Sequence, residues 1–135
     1  IPGSFTLPET QKSAADGTQL PMPAELLTGV AGFLKDPVAG ALDSHNGFLA
    51  RVAANSLGIA QREMQHGNEL AAQELARLVS LLDQPGELDE LRWELVHRLR
   101  DGLALSTPGL AEHLRQSVAG QLAIDQPRYS ALQQQ

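Results

Sequence analysis

Two arginines and an asparagine share one face of the helix predicted over residues 44–66 and are the first candidates for chemistry in this chain. Arg51, Asn55 and Arg62 fall on one line with Gly58, at positions i, i+4, i+11 and i+7. Guanidinium groups that flank an amide are suited to binding an anion or to docking on a partner protein. The same residues fit an ordinary solvent-exposed face equally well, so the sequence leaves both interpretations open.

A second candidate lies where the last predicted helix ends. Because Pro127 cannot continue a helix, Arg128 and Tyr129 are directed onto another surface. They form either a clamp that packs the C-terminus against the helices or a contact to a partner protein. Trp93 is the only tryptophan, one step from a leucine stripe. It is either a partner anchor, as tryptophan often is at interfaces, or a core-edge residue.

The histidines and serines do not form a recognisable catalytic or metal-binding pattern. Helical metal sites place several ligands three or four residues apart, and a single pair such as Glu94 and His97 is more typical of a surface contact. The absence of cysteine excludes thiolate ligands and a cysteine nucleophile. The mid-helix serines are not in a G-x-S-x-G turn, and such hydroxyls usually bond to their own helix backbone. We therefore predict no metal, no cofactor and no catalytic residue.

Apolar periodicity and helix-ending residues predict five helices that position these side chains. The first begins at Pro23 and ends at Asp36–Pro37, and the second runs from a cap at Ser44 to His66. Gly67 and Asn68 are predicted to end the second helix and to cap the third, which reaches Leu82. The fourth covers 87–100, ended by Gly102, and the fifth begins at Thr107–Pro108 and stops before Pro127.

The spacing of apolar residues also predicts which face of each helix is buried. The second helix is apolar almost all round, which is typical of a central, buried helix, and its small Ala54 and Gly58 predict a close approach of another backbone. The third is expected to bury its leucines, with Glu69, Glu74 and Arg77 outside. The inner face of the fifth is predicted to consist of Leu110, Leu114, Val118 and Leu122.

Composition supports an all-α fold. The chain has 23 Leu and 18 Ala in 135 residues, against 14 Val, Ile and Thr together, and this bias favours helices over strands. Short connections between the predicted helices indicate a compact bundle of four to five helices. We expect residues 1–22 to form a flexible N-terminal arm, 23–132 a single helical domain, and 133–135 a polar tail.

Charge and sequence motifs exclude several classes of function. A net charge of -6 argues against general affinity for nucleic acid, and no apolar stretch approaches the ~20 residues of a membrane span. No secretory signal is visible, which predicts a cytoplasmic protein. The chain has only two lysines and neither a G-x-x-x-x-G-K-[ST] nor a G-x-G-x-x-G motif. Any phosphoryl transfer would therefore belong to another chain.

Three segments together resemble a family of small bacterial helical proteins of formally unknown function. They are P-A-E-L-L at 23–27, F-L-A-R-V-A-A-N-S-L at 48–57 and I-D-Q-P-R-Y at 124–129, and the resemblance extends over 23–132. Relatives are typically encoded beside an aminoglycoside-phosphotransferase-like kinase and acyl-CoA dehydrogenases. They often carry His where this chain has Leu49, so a shared role for that position is not carried over.

The resemblance implies a non-catalytic accessory subunit of a kinase that phosphorylates 4-hydroxyacyl-CoA in levulinate and 4-hydroxy acid catabolism. Its partners would be that kinase and acyl-CoA at the shared interface, where arginines are suited to the phosphates of CoA. The candidate contacts to the partner or to an anion are Arg51, Asn55, Arg62, Trp93, Arg128 and Tyr129. Two alternatives stay open: a stand-alone helical module that binds an acyl-CoA or another small ligand, and a structural oligomer.

Overall fold

The computed structural model describes residues 5–8, 21–129 and 132, and most of residues 21–129 are helical. This part contains no strand, so the predicted all-α class is confirmed. Its α-helices are α1 (Pro23–Phe33), α2 (Ala39–Ala41), α3 (Ser44–Leu82), α4 (Leu88–Arg100) and α5 (Leu110–Asp125). Most of the predicted arm over 1–22 and the tail at 133–135 lie outside the described residues.

The predicted break at Gly67–Asn68 is wrong, because α3 is a single helix of 39 residues. Positive φ angles occur in the described residues only at Asp83, Gly102 and Gly109, so Gly67 does not adopt the left-handed conformation that ends a helix. A glycine inside a helix costs about 1 kcal/mol relative to alanine. The helix-forming residues on both sides of Gly67 offset that cost and carry the helix through to Leu82.

The predicted stop at Asp36–Pro37 is also wrong. The chain continues through a π-helical turn, Leu34–Val38, which contains Pro37 and leads directly into α2. The wider π-type turn accommodates the proline, which lacks the N–H of a regular helical bond. The helical run ends at Leu42, whose backbone is extended.

The residue that caps α3 is Asp43 rather than the predicted Ser44. A carboxylate oxygen of Asp43 accepts the backbone N–H of Asn46 at 2.9 Å, and its other oxygen accepts the Asn46 side-chain amide, also at 2.9 Å. These hydrogen bonds satisfy a donor of the first helical turn, and they lower the pKa of Asp43.

The ends of α4 agree with the sequence prediction. Glu87 precedes the helix, and its backbone N–H is accepted by the Glu90 carboxylate at 3.4 Å. At the other end Gly102 has a φ of 99°. The Leu103 N–H bonds to the Arg98 carbonyl at 2.8 Å, which with the left-handed glycine forms a Schellman-type cap.

The fifth helix starts later than predicted but ends as predicted. It begins at Leu110, after Gly109 in the left-handed conformation with a φ of 85°. The Thr107 hydroxyl donates to the Ala104 carbonyl instead of capping the helix. The helix stops at Asp125, ahead of Pro127, because the proline cannot continue it.

The chain divides into two compact units, Ile1–Pro8 with Asn68–Gln135 and Glu9–Gly67. The first unit has a leucine core supplied by α3, α4 and α5, in which Leu78, Leu91 and Leu110 are the largest fully buried side chains. The leucine stripes predicted for residues 68–82 and 87–100 supply most of this core. Phe5 also belongs to this unit and lies beside Gly120.

The second unit buries small residues. The buried positions are Ala39, Gly47, Ala50 and Ala54, and a Cβ atom at Gly47 would come within 2.9 Å of the Ala39 carbonyl oxygen. Another backbone therefore approaches closely at Gly47, which the sequence did not indicate; the prediction for Ala54 stays a prediction. The prediction of one helical domain over 23–132 stays a prediction.

Candidate functional site

The first helix exposes a line of large apolar side chains. Met22, Leu26, Val30 and Phe33 follow one another at spacings of three or four residues and are 50–60% exposed. Gly29 lies between them, and a Cβ atom there would have no neighbour within 4 Å. The half-buried Leu27, Ala31 and Leu34 lie on a neighbouring face of the helix. The outward face of α1 therefore carries large exposed apolar side chains, with open space at Gly29 between them.

The N-terminal half of α3 exposes large apolar side chains in the same way. Phe48 is 60% exposed, Leu49 47% and Val52 44%. The predicted central burial of this helix is wrong, because its buried side consists of Gly47, Ala50 and Ala54. Small residues let the α2 backbone approach closely, which leaves the larger side chains on the opposite face. We call the exposed apolar side chains of 22–33 and 48–52 the apolar surface.

The predicted strip of polar residues lies along the edge of this surface on α3. Arg51 and Asn55 are exposed, one turn apart. Arg62 is half-buried, and its guanidinium lies over Gly58, where a Cβ atom would be 3.1 Å from Nη1. The space above Gly58 is thus occupied by a side chain of the same helix and not by another backbone.

Trp93, Arg128 and Tyr129 belong to the other unit and are exposed. The Trp93 ring lies 6.4 Å from the His97 ring between centroids, at an interplanar angle of 39°. Glu94 accepts a hydrogen bond from Arg98 at 2.9 Å. Tyr129 is 46% exposed, and its backbone N–H donates to the Gln126 carbonyl at 2.9 Å.

A polar cluster that the sequence analysis missed lies between α3 and α5. Nε of Arg77 donates to Nδ1 of His113 at 3.3 Å, and Nη2 of Arg77 donates to the Ser117 hydroxyl, also at 3.3 Å. His113 is only 4% exposed. Because Nδ1 accepts a hydrogen bond, the ring is neutral with its proton on Nε2. The arginine thus cross-links two helices through side chains rather than facing solvent as predicted.

Glu74 and Arg92 form a second cross-link, between α3 and α4. Nε and Nη2 of Arg92 donate to the two Glu74 oxygens at 2.8 and 2.6 Å, and Nη1 donates to Asp89 at 3.1 Å. The Glu74 side chain is only 18% exposed, so the prediction that it lies outside the packed face is wrong. A bidentate pair of this kind fixes both distance and orientation.

The electrostatics of the cluster favour a neutral histidine beside charged arginines. Burial lowers the pKa of His113 below 6.5, and the positive charge of Arg77 lowers it further, while Glu74 opposes the change. The hydrogen bonds from Arg92 lower the pKa of Glu74. Burial lowers the pKa of Arg77.

A third arginine continues the polar region along α5. Arg115 donates to the two Glu112 oxygens at 2.9 and 2.6 Å, and Gln116 donates to Glu112 at 2.8 Å. These hydrogen bonds lower the pKa of Glu112 to about 2. Nη1 of Arg115 is buried without a hydrogen-bond partner, so this arginine uses only part of its donor capacity.

Spacing could have placed Glu74 and Arg77 on the packed side of α3. Glu74 lies four residues from both Leu70 and Leu78, and Arg77 four residues from Leu81, so both share the face of these leucines. The predicted inner face of α5 is wrong in part: Leu110 is fully buried and Leu122 is half-buried, but Leu114 and Val118 are 40% and 52% exposed. The helix buries a different set: Leu110, His113, Ala119, Gly120, Ala123 and Ile124.

The described residues show neither a metal cluster nor a membrane-spanning helix. No group of three or more histidine, aspartate or glutamate side chains in this part could hold a metal ion. None of the helices in 21–129 is long and apolar enough to cross a bilayer. What the arrangement offers chemically is exposed apolar side chains in one unit and partly buried polar cross-links in the other.

Comparison with known proteins places the chain in a family without assigning a function. It matches the family described as a domain of unknown function (DUF6285) over residues 40–129, about two-thirds of the chain. No curated protein and no solved structure matches it. The expected membership of a helical family of unknown function is thus confirmed at that level, and the chain belongs to the DUF6285 family.

Proposed function

We propose that this protein is a non-catalytic accessory subunit that binds an aminoglycoside-phosphotransferase-like kinase acting on 4-hydroxyacyl-CoA. The observation that carries the proposal is the apolar surface, in which Leu26, Phe33 and Phe48 are each more than half exposed. The identity of the partner rests on the resemblance of residues 23–132 to small helical proteins encoded beside such kinases. The protein assists the kinase from a cytoplasmic complex and supplies no phosphate-binding loop.

Energetics favour a protein partner for this surface. Fully burying a Leu, Val, Phe or Met side chain stabilises by about 1.5–3 kcal/mol, and these side chains still have about half of that area to bury. Each of the two helices, α1 and α3, leaves several large apolar side chains exposed, and clusters of this kind mark interaction sites on many proteins. The open space at Gly29 lets a side chain of the partner lie close to the α1 backbone.

The polar edge of the surface suits the rim of such an interface. Arg51 and Asn55 are exposed beside Phe48 and Val52 on α3, and protein interfaces commonly surround an apolar centre with polar groups. Arginines at the rim are also suited to the phosphates of an acyl-CoA held by the kinase. We propose that Arg51 contacts either the kinase or its bound CoA.

The test is co-expression with the neighbouring kinase and purification through a tag on the kinase. We expect the two chains to co-purify and the kinase activity to fall when this chain is omitted. Val52→Asp should abolish co-purification, because it buries a carboxylate in the interface. The matched control is Val118→Asp, which changes a similarly exposed valine of α5, 52% against 44% for Val52.

Three outcomes would contradict the proposal. The chains could elute separately, the kinase could work equally well alone, or Val52→Asp and Val118→Asp could behave alike. A stabilisation of the isolated chain by CoA thioesters in a thermal-shift titration, without kinase binding, would instead support the stand-alone ligand-binding module. Circular dichroism of each variant establishes that the helices are retained.

A further inference from the structure

The outward face of α4 carries a stripe whose charges change sign along the helix. Asp89, Trp93, His97 and Arg100 follow one another at spacings of four, four and three residues, and all are exposed. The Trp93 side chain is 61% exposed, and that of Asp89 is 88% exposed. The opposite face of the helix holds Leu91 and Leu95 in the leucine core. The stripe is therefore the solvent-exposed side of a helix whose other side is packed in the leucine core.

The order of charges makes the stripe complementary to itself. Asp89 lies near the start of α4, and Arg100 is its last residue. Between them, Trp93 and His97 are placed almost symmetrically about Leu95. When two copies of α4 align antiparallel, Asp89 of each copy faces Arg100 of the other, and Trp93 faces His97. A two-fold symmetric interface requires this kind of self-complementary pattern.

We propose that a second copy of this chain binds to the α4 stripe and forms an antiparallel, two-fold symmetric dimer. Trp93 is the apolar anchor, since an exposed tryptophan is a common hot spot of interfaces. The two helix dipoles are antiparallel in this arrangement, which is electrostatically favourable because the positive end of one helix lies beside the negative end of the other. A partner carrying one sign of charge would meet repulsion at one end of the stripe, whereas a second copy meets attraction at both ends.

Arg100 supports the pairing because it is available for it. Within the described residues no ion pair involves Arg100, whereas the other α4 arginines, Arg92 and Arg98, bind Glu74 and Glu94. Asp89 is held by Arg92 at 3.1 Å and still exposes most of its carboxylate to a second cation.

The size of the interface sets the expected affinity. A helix of 13 residues is about 20 Å long. A pair of such helices buries less than the roughly 1,200–2,000 Å² of a stable interface. We therefore expect a dimer that dissociates on dilution through the micromolar range.

The experiment uses Trp93, the only tryptophan in the chain, as an intrinsic reporter. Its emission should shift to shorter wavelength as the concentration rises, in parallel with the mass measured by analytical ultracentrifugation. Arg100→Asp places like charges opposite Asp89, and Asp89→Arg places like charges opposite Arg100. Each variant alone should weaken the dimer at least about tenfold, which corresponds to about 1.4 kcal/mol.

An equimolar mixture of the two variants is the decisive measurement. In the mixed dimer each aspartate again faces an arginine, so association should return to within about threefold of the natural chain. A change in helix stability alone would not be rescued by mixing. Arg128→Asp, at an exposed arginine outside α4, is the control and should leave the dimer unchanged.

Two results would overturn the proposal. One is a monomer with unchanged Trp93 emission from about 1 µM to about 500 µM. The other is a mixture of the two variants that associates no better than each alone. Both measurements use the isolated chain, so they do not depend on whether it binds a kinase.

Discussion

Residues 68–129 contain a core of buried leucines, whereas residues 21–67 expose most of their large apolar side chains. Leu78, Leu91 and Leu110 are at most 1% exposed in the first region, while Leu26 and Phe48 in the second are 54% and 60% exposed. Both regions are helical and contain similar apolar residues. The difference lies in which side of each helix the neighbouring backbone covers.

Small residues decide which face of a helix is buried in these two regions. In 21–67 the buried side of α3 consists of Gly47, Ala50 and Ala54, the α2 backbone approaches closely at Gly47, and the larger residues face outward. In 68–129 the leucines themselves face inward, and polar cross-links such as Arg77–His113 join the helices between them. One region is thus built to be stable, and the other carries the apolar area that a partner can cover.

The largest expected effect comes from the leucine core. Leu78→Ala should lower the free energy of unfolding by about 3–4 kcal/mol, because it removes a fully buried side chain and leaves a cavity. Phe48→Ala removes a larger side chain that is 60% exposed, and it should change the stability by less than about 1 kcal/mol. Urea unfolding followed by circular dichroism measures both. Equal losses in the two variants would show that Phe48 is as buried in solution as Leu78.

The arginine cross-link should come next. Arg77→Ala leaves Nδ1 of His113 and the Ser117 hydroxyl without their donor, which should cost about 2 kcal/mol. A double-mutant cycle with His113→Leu tests the cause, because removing both partners should cost less than the sum of the single changes. Additive losses would show that Arg77 acts through packing alone.

A smaller effect is expected at the glycine that brings α2 and α3 together. Gly47→Ala places a methyl group about 2.9 Å from the Ala39 carbonyl oxygen, so backbone must shift, at a cost of about 1–2 kcal/mol. Gly32→Ala is the matched control in α1, where a Cβ atom meets nothing within 4 Å. This control should stabilise slightly, by up to about 1 kcal/mol. A neutral Gly47→Ala variant would mean that the close approach is not maintained in solution.

Helix identity could be predicted from the sequence, but helix ends and faces only partly. Leucine periodicity located α4 and the leucine side of α3, and Pro127 located the end of α5. Gly67 and Pro37 led to wrong helix ends, because both are strong local signals for the end of a helix that tertiary context overrides here. A glycine indicates that a left-handed turn is possible, and only the neighbouring packing decides whether the turn occurs.

The polar cluster and the apolar surface were harder to predict for a related reason. His113 and Ser117 lie on the inner face of α5 because Ala119, Gly120 and Ala123 allow close packing there, and leucine periodicity chose Leu114 and Val118 instead. The sequence separation of 36 residues between Arg77 and His113 leaves no local trace of their contact. Of the predicted contact residues, Arg51, Asn55, Trp93, Arg128 and Tyr129 are exposed and Arg62 is half-buried, and their roles stay predictions.

The smallest effect should be a pH dependence confined to residues 68–129. The pKa of His113 is lowered in the folded chain by burial and by Arg77, so the unfolded chain binds the proton more readily and stability rises with pH. The contribution of neutral His113 to the free energy of unfolding is fully present above a pH of about 6.5. It is lost as the pH falls below that value towards the pKa of His113 in the folded chain. Glu74, whose pKa is lowered by Arg92, loses its contribution only below about 4.5.

The measurement is the urea midpoint of unfolding at pH 7.5 and at pH 5.5, a range in which His113 titrates and Glu74 does not. The midpoint should be lower at pH 5.5 than at pH 7.5 in the natural chain, and it should be nearly the same at both values in His113→Gln. Glu112 and Arg115, which flank His113 on α5, keep their charges throughout this range, so an equal slope in both chains would assign the pH dependence to groups outside the cluster.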